Sequence, residues 1–198
     1  MGSPCQLPDS APTPGIALDQ LARSELIRLV GSDITYQEQL YTFSFDRGSA
    51  SDIVVSYLAL TSETPGLAPG AEWRPLEESL ASIGNADHLV LEYALTRLRA
   101  KIGYTTIAFH LMPESFSLSD LQQTYESILS RPLDPRNFRR RMVSSGLLQS
   151  ENRLRREGSH RPAALYRFSG THDPASYLTP GAGAFSESTD SPDSRGTP

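Results

Sequence analysis

The sequence has little cysteine, little histidine and no long apolar run, and each absence narrows the class of protein. Cys5 is the only cysteine among the 198 residues, which excludes an intramolecular disulfide and a cysteine-rich zinc site. The four histidines, at positions 88, 110, 160 and 172, lack the spacing of metal ligands. No apolar segment reaches membrane-spanning length, and the first residues lack the basic-then-apolar plan of a secretion signal. We therefore expect a protein of the reducing cytoplasm, with no metal site and no membrane segment.

Charge is distributed unevenly along the chain, although the formal net charge is only −5. Residues 1–87 carry 4 basic and 12 acidic side chains, residues 88–168 carry 13 and 7, and residues 169–198 carry 1 and 4. A basic module is thus hidden inside an acidic chain. This asymmetry is typical of a protein that binds nucleic acid through one domain.

The pattern at residues 134–145 predicts a DNA recognition helix. Asp134 is a good N-cap and Pro135 suits the first helical position, while Phe138 and Met142 share one apolar stripe. The opposite side and its flanks are polar and cationic: Arg136, Asn137, Arg139, Arg140, Arg141 and Ser144. Arginine can bind phosphate or the guanine edge, and asparagine can pair with the adenine edge. A solvated basic helix would show the same pattern, so the helix alone leaves both readings open.

A basic hairpin is predicted directly after this helix. Leu147 and Leu148 begin an apolar strand, and residues 163–168 alternate as a returning strand with Tyr166 and Phe168 on one face. The segment between them is rich in cationic side chains: Arg153, Arg155, Arg156, His160 and Arg161. A basic tip beside a basic helix favours DNA binding over a merely solvated face.

Two further helices precede the recognition helix. One is predicted from His88 to about Ile102, and a second opens at Ser117, with Asp120 completing a variant of the capping box. The run 131–133, Arg-Pro-Leu, ends the second helix. The order helix, helix, helix, hairpin is that of a winged helix-turn-helix.

Four segments of this module together resemble the C-terminal winged-helix domain of the NrtR group, which are bacterial Nudix-related transcriptional regulators. They are residues 95–109, LTRLRAKIGYTTIAF; 116–121, FSLSDL; 131–142, RPLDPRNFRRRM; and 161–168, RPAALYRF. The resemblance implies a homodimeric repressor that binds a palindromic operator in double-stranded DNA and controls NAD or sugar metabolism genes. It also implies that ADP-ribose or a related nucleotide acts as effector.

The N-terminal part resembles the Nudix-like domain of the same family in a degraded form. The matching positions are Leu7, Pro8, Leu26, Gly31 and the strand 36–43, YQEQLYTF. The family's two box glycines are replaced by Asp9 and Ser10, its first glutamate by Ile16, its arginine by Ser24 and its metal-binding glutamate pair by Arg28 and Leu29. Only Glu25 remains, and Nudix hydrolysis needs several carboxylates to hold Mg²⁺ or Mn²⁺. These substitutions therefore predict a catalytically inactive domain without a cofactor.

The predicted fold class is α+β, in three parts. Residues 1–87 form a truncated, partial Nudix-like α/β/α sandwich, with a helix over 18–30 and strands over 35–45 and 53–61. Trp73 is expected in a core or domain interface, and the alternative is that it stacks on a base in the effector pocket. Residues 88–168 form the winged helix, and 169–198 a disordered tail, rich in Gly, Pro, Ser and Thr.

Three functions fit this organisation. The first is a DNA-binding transcriptional regulator with an inactive effector domain. The second is a Nudix hydrolase of ADP-ribose or a related nucleoside diphosphate derivative, whose C-terminal helices only pack or dimerise. The third is a structural dimerisation partner of a longer relative. The lost box carboxylates argue against the second function.

Overall fold

The computed structural model describes residues 5–31, 34–46, 48, 51–62, 66–156 and 162–170. Five α-helices and five strands occur within these ranges, as the α+β prediction requires. The helices are α1 (Leu18–Val30), α2 (Leu76–Ser82), α3 (Asn85–Ile102), α4 (Leu118–Leu129) and α5 (Pro135–Ser144). The strands are β1 (Tyr36–Asp46), β2 (Ser51–Leu60), β3 (Phe116–Ser117), β4 (Leu148–Arg155) and β5 (Ala163–Phe168), and a 3₁₀ helix spans Ile107–Leu111.

The N-terminal part is one helix beside a two-stranded antiparallel sheet. The predicted bounds of α1 are confirmed, and both predicted strands form, with a register running from the Tyr36–Leu60 pair to the Asp46–Ser51 pair. Gly31 ends α1 in the left-handed conformation, at φ 72°. A Cβ at this position would lie 3.1 Å from the carbonyl oxygen of Gly66. Both the backbone conformation and the close approach therefore require glycine here.

The helix-turn-helix is formed by α4 and α5, and local capping sets where each begins. The predicted capping box at α4 is confirmed: Ser117 Oγ accepts from the Asp120 N–H at 3.2 Å, and Asp120 Oδ2 accepts from the Ser117 N–H at 2.9 Å. Asp134 caps α5 by accepting from the Asn137 N–H at 2.8 Å. The helices begin at the residues that the sequence predicts because these side chains satisfy backbone N–H groups that have no partner inside the helix.

The wing is the hairpin of β4 and β5, which joins β3 in a three-stranded antiparallel sheet with the order β3-β5-β4. Strand β4 continues to Arg155, so several predicted tip residues lie on the strand itself. The ring of Phe168 stacks on Phe109 with 4.4 Å between centroids, which fixes the base of the wing against the 3₁₀ helix. The predicted hairpin is confirmed.

The N-terminal sheet lies directly against the winged helix. One hydrophobic core contains Tyr36 and Leu60 from the sheet together with Ile102 and Phe109 from the module. Two elements of this region, α2 and the 3₁₀ helix, are absent from the sequence prediction. Both are short, at 7 and 5 residues, which is too few for a helical apolar stripe to be recognised.

A polar cluster joins the same two parts. The Lys101 ammonium donates to the Tyr36 hydroxyl at 2.8 Å and to the Glu38 carboxylate, and Arg97 lies 3.5 Å from that carboxylate. Burial disfavours the charged form of Lys101, but its hydrogen bonds to Glu38 and Tyr36 outweigh burial and raise its pKa above the ordinary value. The sheet and α3 are therefore held by charge pairing as well as by apolar contact.

Trp73 is 51% exposed, so its predicted place in a core or domain interface is wrong. It lies in the irregular segment 71–75 before α2, of which every residue except Ala71 is exposed. The predicted tail falls on the described residues only at Ser169 and Gly170; residues 171–198 lie outside them. Across the described ranges no helix combines the length and the low polarity needed to cross a membrane.

Candidate nucleic-acid interface

The orientation of α5 is fixed by two buried side chains. Phe138 and Met142 are each 1% exposed, and the Phe138 ring meets Tyr125 of α4 edge-on at 5.3 Å between centroids. This packing turns the polar stripe outward. Four of the five predicted helix contacts are exposed, namely Arg136, Asn137, Arg139 and Arg140, while Arg141 is half-buried on the flank.

Asn137 and Arg140 are joined on the outward stripe. Arg140 Nη2 donates to Asn137 Oδ1 at 3.0 Å, as expected for side chains three residues apart on a helix. The amide oxygen that would accept from an adenine amino group is therefore already engaged. In this arrangement Asn137 orients the guanidinium of Arg140, which keeps further N–H groups for a ligand.

The wing residues divide into two groups. Arg153 and Arg156 are exposed and can bind a ligand directly. Arg155 is half-buried, and its Nη2 donates to the Asp120 carboxylate at 2.7 and 2.9 Å. The structure thus gives Arg155 a partner inside the protein, where the sequence suggested only a ligand contact. His160 and Arg161, the other predicted wing contacts, lie outside the described residues.

Asp120 serves two elements at once. It completes the capping box at the start of α4 and binds Arg155 of β4 across the domain. Burial would raise its pKa, but the hydrogen bonds from the Ser117 N–H and from Arg155 outweigh burial and lower the pKa below the ordinary value of 3.8. The carboxylate therefore anchors the wing to the helix-turn-helix while it is ionised.

The acidic side chains beside the wing are neutralised within the protein. Arg167 of β5 pairs with Glu151 of β4 and, at 2.9 Å, with Glu114, and Ser115 Oγ donates to Glu151 at 2.7 Å. The bond from Arg167 is the main cause that lowers the pKa of Glu151. Arg167 thus belongs to a network with acidic side chains of the protein itself.

The remaining box carboxylate of the N-terminal part is also paired. Glu25 Oε2 accepts from Arg28 Nε at 3.0 Å and from Arg28 Nη2 at 2.7 Å. Arg28 stands where the resemblance expects a metal-binding glutamate. A search of the described part of the chain finds no group of three or more His, Cys, Asp or Glu side chains that could hold a metal ion. One carboxylate bound to a guanidinium does not fit the requirements of a Mg²⁺ site.

The sequence interpretation overlooked two exposed apolar side chains within these surfaces. Val143 of α5 is 54% exposed, and Leu154 of β4, between Arg153 and Arg155, is 68% exposed. Helical phase could have identified the first, because Val143 lies seven residues after Arg136 and three after Arg140, on the same stripe.

Comparison with known proteins finds similarity to one family of DNA-binding proteins. Residues 108–168 match the family model described as the NrtR DNA-binding winged helix domain. The chain is 33% identical over 155 residues to the ADPR responsive transcriptional repressor NtrR of Acinetobacter baylyi, covering 74% of this chain and 62% of that protein. The chain therefore spans less than two thirds of the length of this curated relative.

Solved structures agree with the sequence comparison. The structure is similar to that of Shewanella oneidensis NrtR complexed with a 27mer DNA, at a TM-score of 0.73 and 28% identity, covering 83% of this chain and 78% of that one. The structure is also similar to that of Shewanella oneidensis NrtR without DNA, at a TM-score of 0.70 and 29% identity, covering 82% of this chain and 76% of that one. The fold is similar to that of a MutT/nudix family protein from Enterococcus faecalis. The TM-score is 0.55 and the identity 17%, and the match covers 79% of this chain and 70% of that one. The predicted Nudix-like and winged-helix architecture is confirmed.

The Asp120–Arg155 pair generates a pH-dependent prediction. Asp120→Asn should lower the free energy of unfolding at pH 7, and its coupling to Arg155→Met in a double-mutant cycle should be about 0.5–1 kcal/mol, since both groups are one-third exposed. A carboxyl whose pKa is lowered by folding stabilises the folded state above its ordinary pKa of 3.8 and loses that effect as pH falls through the folded-state pKa. Urea titrations should therefore show that the difference in the free energy of unfolding between the unchanged chain and Asp120→Asn becomes smaller as the pH falls.

Glu77→Gln is the matched control. Glu77 is exposed in the first turn of α2, and its substitution also removes a negative charge near a helix N-terminus. It should lack the coupling to Arg155. Equal coupling for both carboxylates, or none for Asp120 at neutral pH, would contradict the proposed anchor.

Proposed function

We propose that this chain is an NrtR-type protein, a DNA-binding transcriptional repressor with a catalytically inactive Nudix-like effector domain. The observation that carries the proposal is the exposed cationic stripe of α5 beside the exposed arginines of the wing. The similarity to an NrtR crystallised with DNA supports it. Such a protein acts on the chromosome, in the cytoplasm, and the family resemblance suggests NAD or sugar metabolism genes as targets.

The proposed contacts fall into two classes. Arg140, oriented by Asn137, lies at the centre of the stripe and is suited to the O6 and N7 acceptors of guanine in the major groove. The remaining predicted contacts are assigned to the phosphate backbone: Arg136, Arg139, Arg141, Arg153, Arg156, His160 and Arg161. We assign Arg155 to the anchoring of the wing through Asp120.

We infer that the Nudix-like part is a sensor. ADP-ribose or a related nucleotide is the proposed effector, since the Acinetobacter relative is described as responsive to ADPR. The cluster of Lys101, Glu38 and Tyr36 connects the N-terminal sheet to α3, so a ligand that moves the sheet would act on the DNA-binding module through this contact.

The alternative of a Nudix hydrolase is less well supported. Its chemistry needs several carboxylates around a divalent cation, while Glu25 is paired with Arg28. A purely structural dimerisation partner would not need an exposed basic helix next to a basic wing, so we place this third function last.

DNA binding is tested by comparing two arginines in the full chain. Arg140→Ala should reduce discrimination between the DNA upstream of the protein's own gene and a random duplex by about 1–3 kcal/mol, because a bidentate base contact is lost. Arg153→Ala should weaken binding to both duplexes by a similar factor. It should also reduce the dependence of the affinity on salt concentration, since phosphate contacts release counterions. Fluorescence anisotropy at several salt concentrations measures both effects.

Arg28→Ala is the control, because Arg28 is exposed on α1, outside the cationic stripe and the wing. It should leave both affinities unchanged. The regulator function fails if the full chain binds no duplex at low salt.

Enzymatic inactivity is a separate prediction. The chain incubated with ADP-ribose and Mg²⁺ or Mn²⁺ should release no AMP above a blank, because Arg28 and Leu29 replace the metal-binding pair. Restoring both to glutamate should not suffice while the box glycines, the arginine and the first glutamate stay substituted. Chromatography of the products measures this, and clear turnover by the unchanged chain would favour the hydrolase alternative.

We also propose a homodimer, because a palindromic operator requires two copies related by matching symmetry. Two apolar surfaces are available: α3, where Leu89 is 47% exposed, and the hairpin of β1 and β2, where Ile53 is 65% exposed. Light scattering at micromolar concentration should give twice the monomer mass. Leu89→Glu should dissociate a dimer formed through α3, and Ile53→Glu one formed through the hairpin. A strictly monomeric species, free and on DNA, would contradict the proposal.

A further inference from the structure

Val143 is an apolar side chain at the centre of a cationic surface. Arg136, Arg140 and Val143 follow one another at spacings of four and three residues, which places them on one face of α5. Val143 is 54% exposed there, although it is β-branched and larger than its polar neighbour Ser144. Valine is not favoured on an exposed helix surface by helix propensity, so propensity offers no reason for it at this position.

The packing of α5 keeps Val143 outward. Phe138 and Met142 are fully buried and determine the rotation of the helix, so Val143 cannot turn inward unless both leave the core. Its two methyl groups therefore lie on the surface that, under the proposed function, enters the major groove. This inference rests on that function and deepens it.

We propose that Val143 is a specificity residue that contacts the C5-methyl group of a thymine. That methyl is the apolar group that a thymine presents in the major groove, and small apolar side chains contact it in DNA complexes. Three residues of helix advance about 4.5 Å, against about 3.4 Å per base pair. The thymine accordingly lies within one or two base pairs of the base bound by Arg140. Arg140 supplies hydrogen bonds and Val143 supplies apolar contact, so the helix distinguishes two neighbouring bases by different chemistry.

The experiment removes the methyl group from the DNA. The full chain first selects a consensus duplex from a randomised pool, and each thymine of that duplex is then replaced singly by deoxyuridine, which differs only in lacking the C5-methyl. The unchanged protein should lose about fourfold in affinity at one thymine of each half-site, the effect of one buried methyl group.

Three variants assign that loss to one side chain. Val143→Ser should bind the thymine and deoxyuridine duplexes equally at that position, while Val143→Ile, which keeps the apolar contact, should retain the loss. Leu154→Ala removes an exposed apolar side chain from the wing. This variant should still lose affinity when that thymine is replaced by deoxyuridine. Circular dichroism checks that each variant is folded.

Two results would overturn the inference: no thymine whose replacement weakens binding, or an undiminished loss in Val143→Ser. Either can occur with a tightly bound consensus duplex, in which case the proposed function stands and only the role of Val143 is rejected. If selection yields no consensus and no duplex is bound, the proposed function fails and the inference fails with it.

Discussion

The burial of Phe138 beneath Tyr125 is the contact on which the functional surface depends. An α-helix carries side chains around its whole circumference, and only packing decides which of them meet solvent. Because Phe138 and Met142 occupy the core, the rotation of α5 is set, and every outward residue has a fixed direction. The recognition stripe is thus a consequence of the core, and its polar side chains contribute to function without having to hold the helix in place.

Local signals explain why much of this arrangement could be predicted from the sequence. Asp134 before Pro135, and Ser117 three residues before Asp120, are start signals whose hydrogen bonds form within one helical turn, so their meaning does not depend on distant residues. The positions of α1, β1 and β2 follow from the family resemblance and from alternating apolar residues. The outward placement of Arg140 follows from helical phase alone.

The parts that sequence reasoning missed depend on contacts between distant residues. Arg155 pairs with Asp120, 35 positions earlier, and no local pattern identifies that partner. Trp73 was expected to be buried because large aromatic residues usually are, yet its irregular segment lies on the surface. Val143 was overlooked because the interpretation of α5 rested on its charged and polar side chains.

The double engagement of Asp120 also bears on the order in which the domain assembles. Its bonds to Ser117 close a loop of three residues, which costs little chain entropy, whereas its bond to Arg155 closes a far longer loop. The first turn of α4 can therefore form early and present a carboxylate already held in position. Arg155 of the wing then pairs with an Asp120 carboxylate that is already held in place. Folding is thus expected to proceed from the helix-turn-helix outward, with the hairpin the last element to become fixed.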